Sequence, residues 1–496
     1  MMRLRPIMFV GTCSDAGKSI INTAFCRIFR QDGYRPAPFK AQNMSLNSFS
    51  TPEGGEIGRA QAVQAEACGV VPHTDMNPVL LKPSTDQTSQ VVLNGRPVGN
   101  MSAREYFRSE NKLQLFTEAV NAFKRLDEKY NPIVLEGAGS ISELNLRDRD
   151  ITNMRMAKEV EAATYLVADI DRGGVFASVY GSVMLLPEDE RRLLKGIIIN
   201  KFRGDVSLFN EGREMIKQLT GVPVVGVIPY FKDIHIEEED SVALETKANN
   251  AIGGKINIAV ILFRRMSNFT DFNVLEQDER FHLYYTDNVA EIGKADVIIL
   301  PGTKNTMADL HAIRSNGVAD AIIQAFRERK KIIGICGGYQ MMGMRVEDPE
   351  GVEGDLKTLP GLGFLPLVSV MEKEKVVCQS DFRFKGHGDW CKGYQIHMGR
   401  TFPVENLTGG DRTGLPDLNV LKDGSVDGYQ LGEHCWGSYM HGILDNTVVL
   451  NDLAVGFGRE AVENFDYTVF KERQYDLLAD HVRAAVNMDY IYATLK

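Results

Sequence analysis

Short, continuously apolar runs separated by longer helical stretches limit what this chain can fold into more than any other feature. In the first half the runs are Pro6–Val10, Pro132–Leu135, Thr164–Ile170, Gly196–Ile199 and Pro223–Val227, with helical patterns such as Lys18–Gln31 and Asn111–Tyr130 between them. A strand exposed on one face alternates apolar and polar residues, whereas a continuous apolar run has to be covered on both. The pattern predicts a doubly wound α/β domain. A break follows at Asp233–Gly254, with the acidic run Glu237–Asp240 and the pair Gly253-Gly254, a composition suited to a solvated linker. A second series then begins: Asn257–Phe263, Val297–Leu300 and Lys331–Ile335, with helical Thr306–Asn316 and Ala319–Arg329 between them. The expectation is two α/β domains, residues 1–232 and 255–449, a linker at 233–254, and a helical tail at 450–496 packed on one domain.

Composition narrows the class. At 496 residues, 44% hydrophobic and 25% charged, the chain is neither disordered nor fibrous. A formal charge of −10 offers no basic field for nucleic acid. No apolar run reaches the roughly 18 residues a membrane helix needs, and Gly11 interrupts the first apolar stretch too early for a secretory signal. None of the seven cysteines stands in a Cys-x-x-Cys pair, so they read as reduced thiols of a cytoplasmic protein. That leaves an enzyme or an intracellular binding protein.

The first run leads into Gly11-Thr12-Cys13-Ser14-Asp15-Ala16-Gly17-Lys18-Ser19 and then a helix. Phosphate binding needs these residue types. Gly11 and Gly17 let the backbone N–H groups of Thr12, Ser14 and their neighbours curl around an anion, Lys18 neutralises outer phosphates, and Ser19 can ligate Mg²⁺. The strict pattern has glycine where this chain has Thr12; here it comes one residue earlier. Ligands of open α/β sheets sit beyond the carboxyl ends of strands, and three more strands end in polar groups. Glu136 leads into Gly137-Ala138-Gly139 and suits Mg²⁺. Asp169 and Asp171, two apart, are expected on one face, and Asn200 is placed to meet a base edge. Lys40 and Asn43, in Lys40-Ala41-Gln42-Asn43-Met44-Ser45, and Lys82, a lone cation in an apolar stretch, are candidates to meet a polyanionic substrate.

In the second series, Lys331–Ile335 ends in Cys336-Gly337-Gly338-Tyr339-Gln340-Met341-Met342-Gly343. A nucleophile at a strand-to-helix turn among glycines stands clear of the sheet, and the N–H groups that follow it can bind an oxyanion. Four glycines in the ten residues from Gly334 to Gly343 argue against a merely packed cysteine. The thiol needs a base. Of nine histidines, His441 in Tyr439-Met440-His441-Gly442 is the first candidate, with His397 and His434 behind it. The loop Pro301-Gly302-Thr303-Lys304-Asn305 offers further oxyanion donors.

Gly334-x-Cys336-x-Gly338-x-Gln340 resembles the nucleophile motif of class I glutamine amidotransferases, and the leading loop resembles that of dethiobiotin synthetase. Joined in this order they resemble the cobyrinic/cobyric acid amide synthases. The strings Lys40–Ser45, Asn77–Pro83, Val134–Gly139, Gly393–Gly399 and Tyr439–Asn446 are similar to the cobyric branch of that family. The resemblance implies a P-loop, dethiobiotin synthetase-like domain followed by a class I glutamine amidotransferase domain. It implies MgATP at Lys18, Ser19 and Glu136, Cys336 as the glutaminase nucleophile with His441 as its base, and glutamine as nitrogen donor beside Gly302, Gly337, Gly338 and Gln340. The implied acceptor is adenosylcobyrinic acid a,c-diamide, amidated at its b, d, e and g carboxylates. Many amidotransferases follow the histidine with Pro-Glu; here Gly442-Ile443 follow, so another group has to orient His441. The competing readings are a cobyrinic acid a,c-diamide synthase, a non-catalytic P-loop nucleotide switch and a dethiobiotin-type carboxylase.

Overall fold

The apolar runs become buried parallel strands in the computed structural model, which describes residues 2–84, 87–106, 109–239, 244, 247–404, 414–461 and 465–496. The first sheet runs Val224–Pro229, Leu194–Phe202, Ala163–Asp169, Ile7–Gly11, Ile133–Glu136, Ala37–Phe39, with every pairing parallel. Alternate residues of its central strand enter two different cores. Ile7 and Phe9 pack with Phe25, Phe29, Leu478 and Val482, whereas Met8 and Val10 pack with Phe39, Phe116 and Val179. Both faces are therefore covered, which is why polar alternation is missing from the sequence.

The second sheet is mixed. Five parallel strands come in the order Phe281–Thr286, Ile256–Ile261, Val297–Leu300, Lys331–Ile335, Cys435–Ser438. Antiparallel strands Val426–Leu431 and Asp417–Leu421 extend it to Leu367–Phe384, which pairs with Cys391–Pro403.

Two parts of the first half depart from the sequence expectation. A four-stranded sheet (Gln42–Met44, Val79–Pro83, Thr88–Leu93, Arg96–Ser102) and a hairpin (Ser48–Ser50 with Glu56–Gly58) stand beside the parallel sheet. The hairpin faces the second domain, as Gln379 donates to the Ser50 carbonyl at 2.9 Å. Two carboxylates of the acidic run have fixed partners, while Glu238 between them is exposed. Glu237 pairs with Arg59 at 2.6 Å with both side chains buried, and Glu239 accepts two hydrogen bonds from Asn43. Fixed partners, rather than water, hold these two carboxylates; Asp240 lies outside the described residues. The tail divides: Leu450, Leu453 and Ala454 pack in the core of the second domain, and the later helices fold back on the first. Helix Tyr467–Ala485 packs on helix Lys18–Gln31, where Arg27 pairs with Asp476 at 2.7 Å and Glu472 at 2.8 Å, and Val486 bridges to Gly226 on the sheet edge.

An ion cluster joins the two domains. Glu56 is fully buried, accepts from Lys82 at 2.6 Å, and pairs with Lys375 of the long strand in the second domain. This corrects the reading of Lys82 as a substrate-facing cation: its ammonium also donates to Ser48 Oγ at 2.8 Å and is buried. Burial would raise the Glu56 carboxyl, but Lys375 and Lys82 outweigh it and hold the group far below its ordinary 4.5. Burial, with Lys82 and Lys304 nearby, outweighs Glu56 at Lys375 and brings that ammonium down to about 7. Since the folded carboxyl titrates below its ordinary value, its stabilisation is complete above about pH 4.5 and is lost as pH falls further. Glu56→Gln leaves two buried ammonium groups without a carboxylate, so a loss of about 3–5 kcal/mol is expected. A lowered thermal midpoint at pH 7 checks it, and an unchanged midpoint contradicts it.

Candidate active sites

The phosphate loop joins strand Ile7–Gly11 to helix Lys18–Gln31, between the carboxyl ends of the two neighbouring strands. The departure at Thr12 has a steric basis. A Cβ at Gly11 would stand 2.8 Å from both the Cys13 carbonyl and Lys18 Nζ, so glycine is needed there. Gly17 has φ +93°, and a Cβ on it would meet Asn200 Nδ2 at 2.1 Å. Thr12 N–H donates to Val167 O at 3.0 Å, and Ser14 is exposed on the loop. Lys18 is buried, its ammonium donating to the carbonyls of Cys13 and Gly139 at 2.9 Å each. Burial lowers its pKa, with Glu136 pulling the other way.

Glu136 is the electrostatic centre of this site. Ser19 Oγ and Lys40 Nζ donate to its Oε1 at 2.8 and 2.7 Å, and Gln64 Nε2 donates to its Oε2 at 2.7 Å. Burial would raise its pKa, but Lys40 and these hydrogen bonds prevail, so it stays ionised. A hydroxyl beside an ionised carboxylate is the hard oxygen donor set Mg²⁺ accepts. Lys40 thus lies at the site but as the counter-ion of Glu136, and Asn43 is occupied by Gln61 at 3.0 Å and by Glu239.

Two further expectations are corrected. Asn200 donates its amide to the Ala16 carbonyl at 2.9 Å, under the loop, so it shapes the loop rather than pointing that N–H at a base. Asp169 and Asp171 do not share a face, because the strand ends at Asp169. Asp169 is buried against Lys201 at 2.9 Å, whereas the more exposed Asp171 pairs with Arg203 at 2.5 Å.

The cysteine stands on the elbow its glycines announced. Cys336 has φ +53°, a left-handed conformation unfavourable to a side-chain-bearing residue, and caps the short helix Gly337–Met341. The turn exists because its neighbours are minimal: a Cβ at Gly338 would lie 2.0 Å from the Leu300 carbonyl. Gly337 lies against Thr303, and Gly302 against His441 Cε1, which brings the Pro301–Asn305 loop to the nucleophile. Gln340 corrects an expectation. Its Oε1 accepts from Thr306 at 2.9 Å and its Nε2 donates to Met398 O at 2.9 Å and Tyr439 OH at 3.2 Å, so it braces the elbow from below.

His441 is the base candidate that meets Cys336, and the missing orienting group is Asp271. His441 Nδ1 donates to Asp271 Oδ2 at 2.6 Å, and Gly442 N–H donates to Oδ1 at 3.1 Å. Burial would lower the imidazole's pKa, but Asp271 and Cys336 override it and push the ring up to about 10. The ring thus stands beside the Cys336 sulfur as a proton-transfer partner. His397 has no such partner. Burial lowers it to about 4, and its nitrogens are engaged by Gly399 O and Gln395 Oε1. His434 stacks on Phe326, away from the elbow. The arrangement is a Cys–His–Asp triad. Nothing in the local sequence singled out Asp271, which is 170 residues from its histidine.

Residues 7–242 match a CobQ/CobB/MinD/ParA nucleotide binding domain, and residues 257–449 match a CobB/CobQ-like glutamine amidotransferase domain. Proteins named cobyric acid synthase are similar along nearly the whole length. That of Parabacteroides distasonis is 66% identical, covering 99% of each chain, and that of Phocaeicola vulgatus is 58% identical, covering 99% of this chain and 98% of its own. That of Syntrophobacter fumaroxidans is 45% identical at 99% and 98% coverage.

Proposed function

The chain belongs to the cobyric acid synthase family, and from that premise we propose how its two sites divide one reaction. It is a glutamine-hydrolysing amide ligase of cobalamin biosynthesis that uses a nucleotide. The acceptor we assign is adenosylcobyrinic acid a,c-diamide, with amides made at its b, d, e and g carboxylates to give cobyric acid. Cobalt arrives inside this substrate and needs no ligand from the protein.

A carboxylate is a poor electrophile, so it is first activated. ATP phosphorylates it, giving an acyl phosphate and ADP, with Lys18 and the loop N–H groups bearing on the transferring phosphoryl group. Mg²⁺ would be held by Ser19 and Glu136 and would neutralise phosphate charge. In the second site the Cys336 thiolate attacks the carboxamide carbon of glutamine. His441 delivers the proton on which ammonia leaves, and water then releases glutamate from the thioester. Ammonia displaces phosphate from the acyl phosphate to leave the amide.

One observation carries this reading: a phosphate loop and a Cys336–His441–Asp271 triad stand on one polypeptide whose domains share a buried ion cluster. Mass spectrometry of the a,c-diamide incubated with the protein, MgATP and glutamine tests it. Four successive carboxyl-to-amide mass steps are expected. An unchanged corrinoid, with conversion only of cobyrinic acid itself, contradicts the acceptor assignment.

A further inference from the structure

The second domain does not hold its own triad carboxylate unaided. Asp271 ends a strap, Met266–Asp271, that runs past the candidate oxyanion loop: Met266 bridges to Thr303, and Ser267 N–H donates to Gly302 O at 2.9 Å. At the middle of the strap, Asn268 takes a left-handed backbone, φ +53°, and is buried. Its side chain is gripped from the other domain. Ser48 N–H donates to Asn268 Oδ1 at 3.0 Å, and Asn268 Nδ2 donates to Ser48 O at 3.2 Å. The next residue is held as well, since Phe269 N–H donates to Asn47 Oδ1 at 3.0 Å. Asn47 is itself fixed, donating to Glu239 O at 2.7 Å.

The same segment of the first domain reaches the other side of the histidine through Tyr394. Tyr394 OH donates to Ser48 O at 3.3 Å and receives a bond from Asn268 Nδ2 at 3.3 Å. The Tyr394 ring packs on Phe49 at 4.9 Å on one side and stacks on His441 at 5.4 Å on the other. His441 is thus bracketed by a carboxylate and an aromatic ring, and both supports lead back to three consecutive residues of the nucleotide-binding domain. Buried amide pairs of this kind fix geometry, because leaving either partner unsatisfied costs the full desolvation of that group.

We propose that Asn47–Phe49 is a positioning element of the glutaminase, setting Asp271 through Asn268 and the His441 ring through Tyr394. Glutamine hydrolysis then depends on the docked nucleotide-binding domain, although none of its residues touches glutamine. The inference rests on the reading of Cys336, His441 and Asp271 as a glutaminase triad.

The test uses the full chain carrying Asn268→Gly, which keeps the left-handed backbone and removes the amide, and separately Asn47→Ala on the other domain. Asp271→Asn serves as reference. Glutamate release in the presence of MgATP and the corrinoid is measured across pH, together with amide formation from ammonium chloride. Both variants are expected to lose about 10- to 100-fold in kcat for glutamine, the scale of a small misplacement of reacting groups. KM for glutamine stays near wild type, as for an interaction that acts on the transition state. Their pH profiles move in the direction of the Asp271→Asn profile, and ammonium-dependent amidation continues unchanged. Wild-type kcat and pH profile in both variants would overturn the proposal. So would a parallel loss of ammonium-dependent amidation, which signals general damage. A wild-type protein that releases no glutamate would overturn the triad reading and the proposal with it.

Discussion

Replacement of Cys336 by alanine is expected to abolish amide formation from glutamine while amide formation from ammonium salts continues. The thiol is the one nucleophile at the elbow, presented by a left-handed backbone and faced by an imidazolium. The oxyanion donors and His441 survive the substitution but have no atom to deliver to the carboxamide. By analogy with nucleophile removal in other triads, the loss in glutamine turnover is roughly 10⁴- to 10⁶-fold. Nothing in the phosphate-loop site touches Cys336, so acyl phosphate formation stays intact and ammonia supplied from solution substitutes for ammonia made in place. Amide yields with glutamine and with ammonium chloride, measured side by side, check the prediction. Loss of both activities together would mean that the two sites do not divide the work as described.

Lys18→Ala is expected to remove amide formation from either nitrogen source. Its ammonium is buried and held by the Cys13 carbonyl of the loop and the Gly139 carbonyl of the turn after Glu136, at the place where such loops bind outer phosphates. Removing a preorganised charge from a transferring phosphoryl group costs roughly 10²- to 10³-fold or more. Glutamate release at the distant triad should persist, since neither Cys336 nor His441 depends on Lys18 for orientation. The discriminating measurement is therefore the pair of products, with glutamate retained and corrinoid amide lost. Retained amide synthesis would contradict the assignment of Lys18 to the nucleotide.

What was legible in the sequence was what short-range geometry imposes. Double-sided burial wrote itself into Ile7–Gly11 and Lys331–Ile335 as unbroken apolar runs. The two loops were legible because glycine is demanded where a Cβ would collide, as at Gly17 and Gly338. What was not legible depends on partners far along the chain. Lys82 in an apolar stretch looked like a ligand-seeking cation, but a charge in such surroundings needs a counter-ion, and Glu56 supplies it from a neighbouring hairpin. Lys40 reads in sequence as a cation for a polyanionic substrate for the same reason, as the carboxylate it meets is 96 residues away. The acidic run before the second domain has the composition of a solvated linker, and Arg59 and Asn43, invisible from that run, tie down two of its carboxylates, Glu237 and Glu239. Asp271 sits between Thr270 and Phe272 with no motif around it, and only folding shows that it replaces the glutamate many amidotransferases keep beside the histidine.

The long helix near the end of the chain, Tyr467–Ala485, lies on the first domain although it follows the second in sequence. The amidotransferase module is consequently moored by two strands of covalent chain instead of one. A guest tied at both ends keeps a high effective concentration of its docking surface even when individual contacts fail. It cannot drift away, so the boundary between the modules is free to be polar and charged without risking separation.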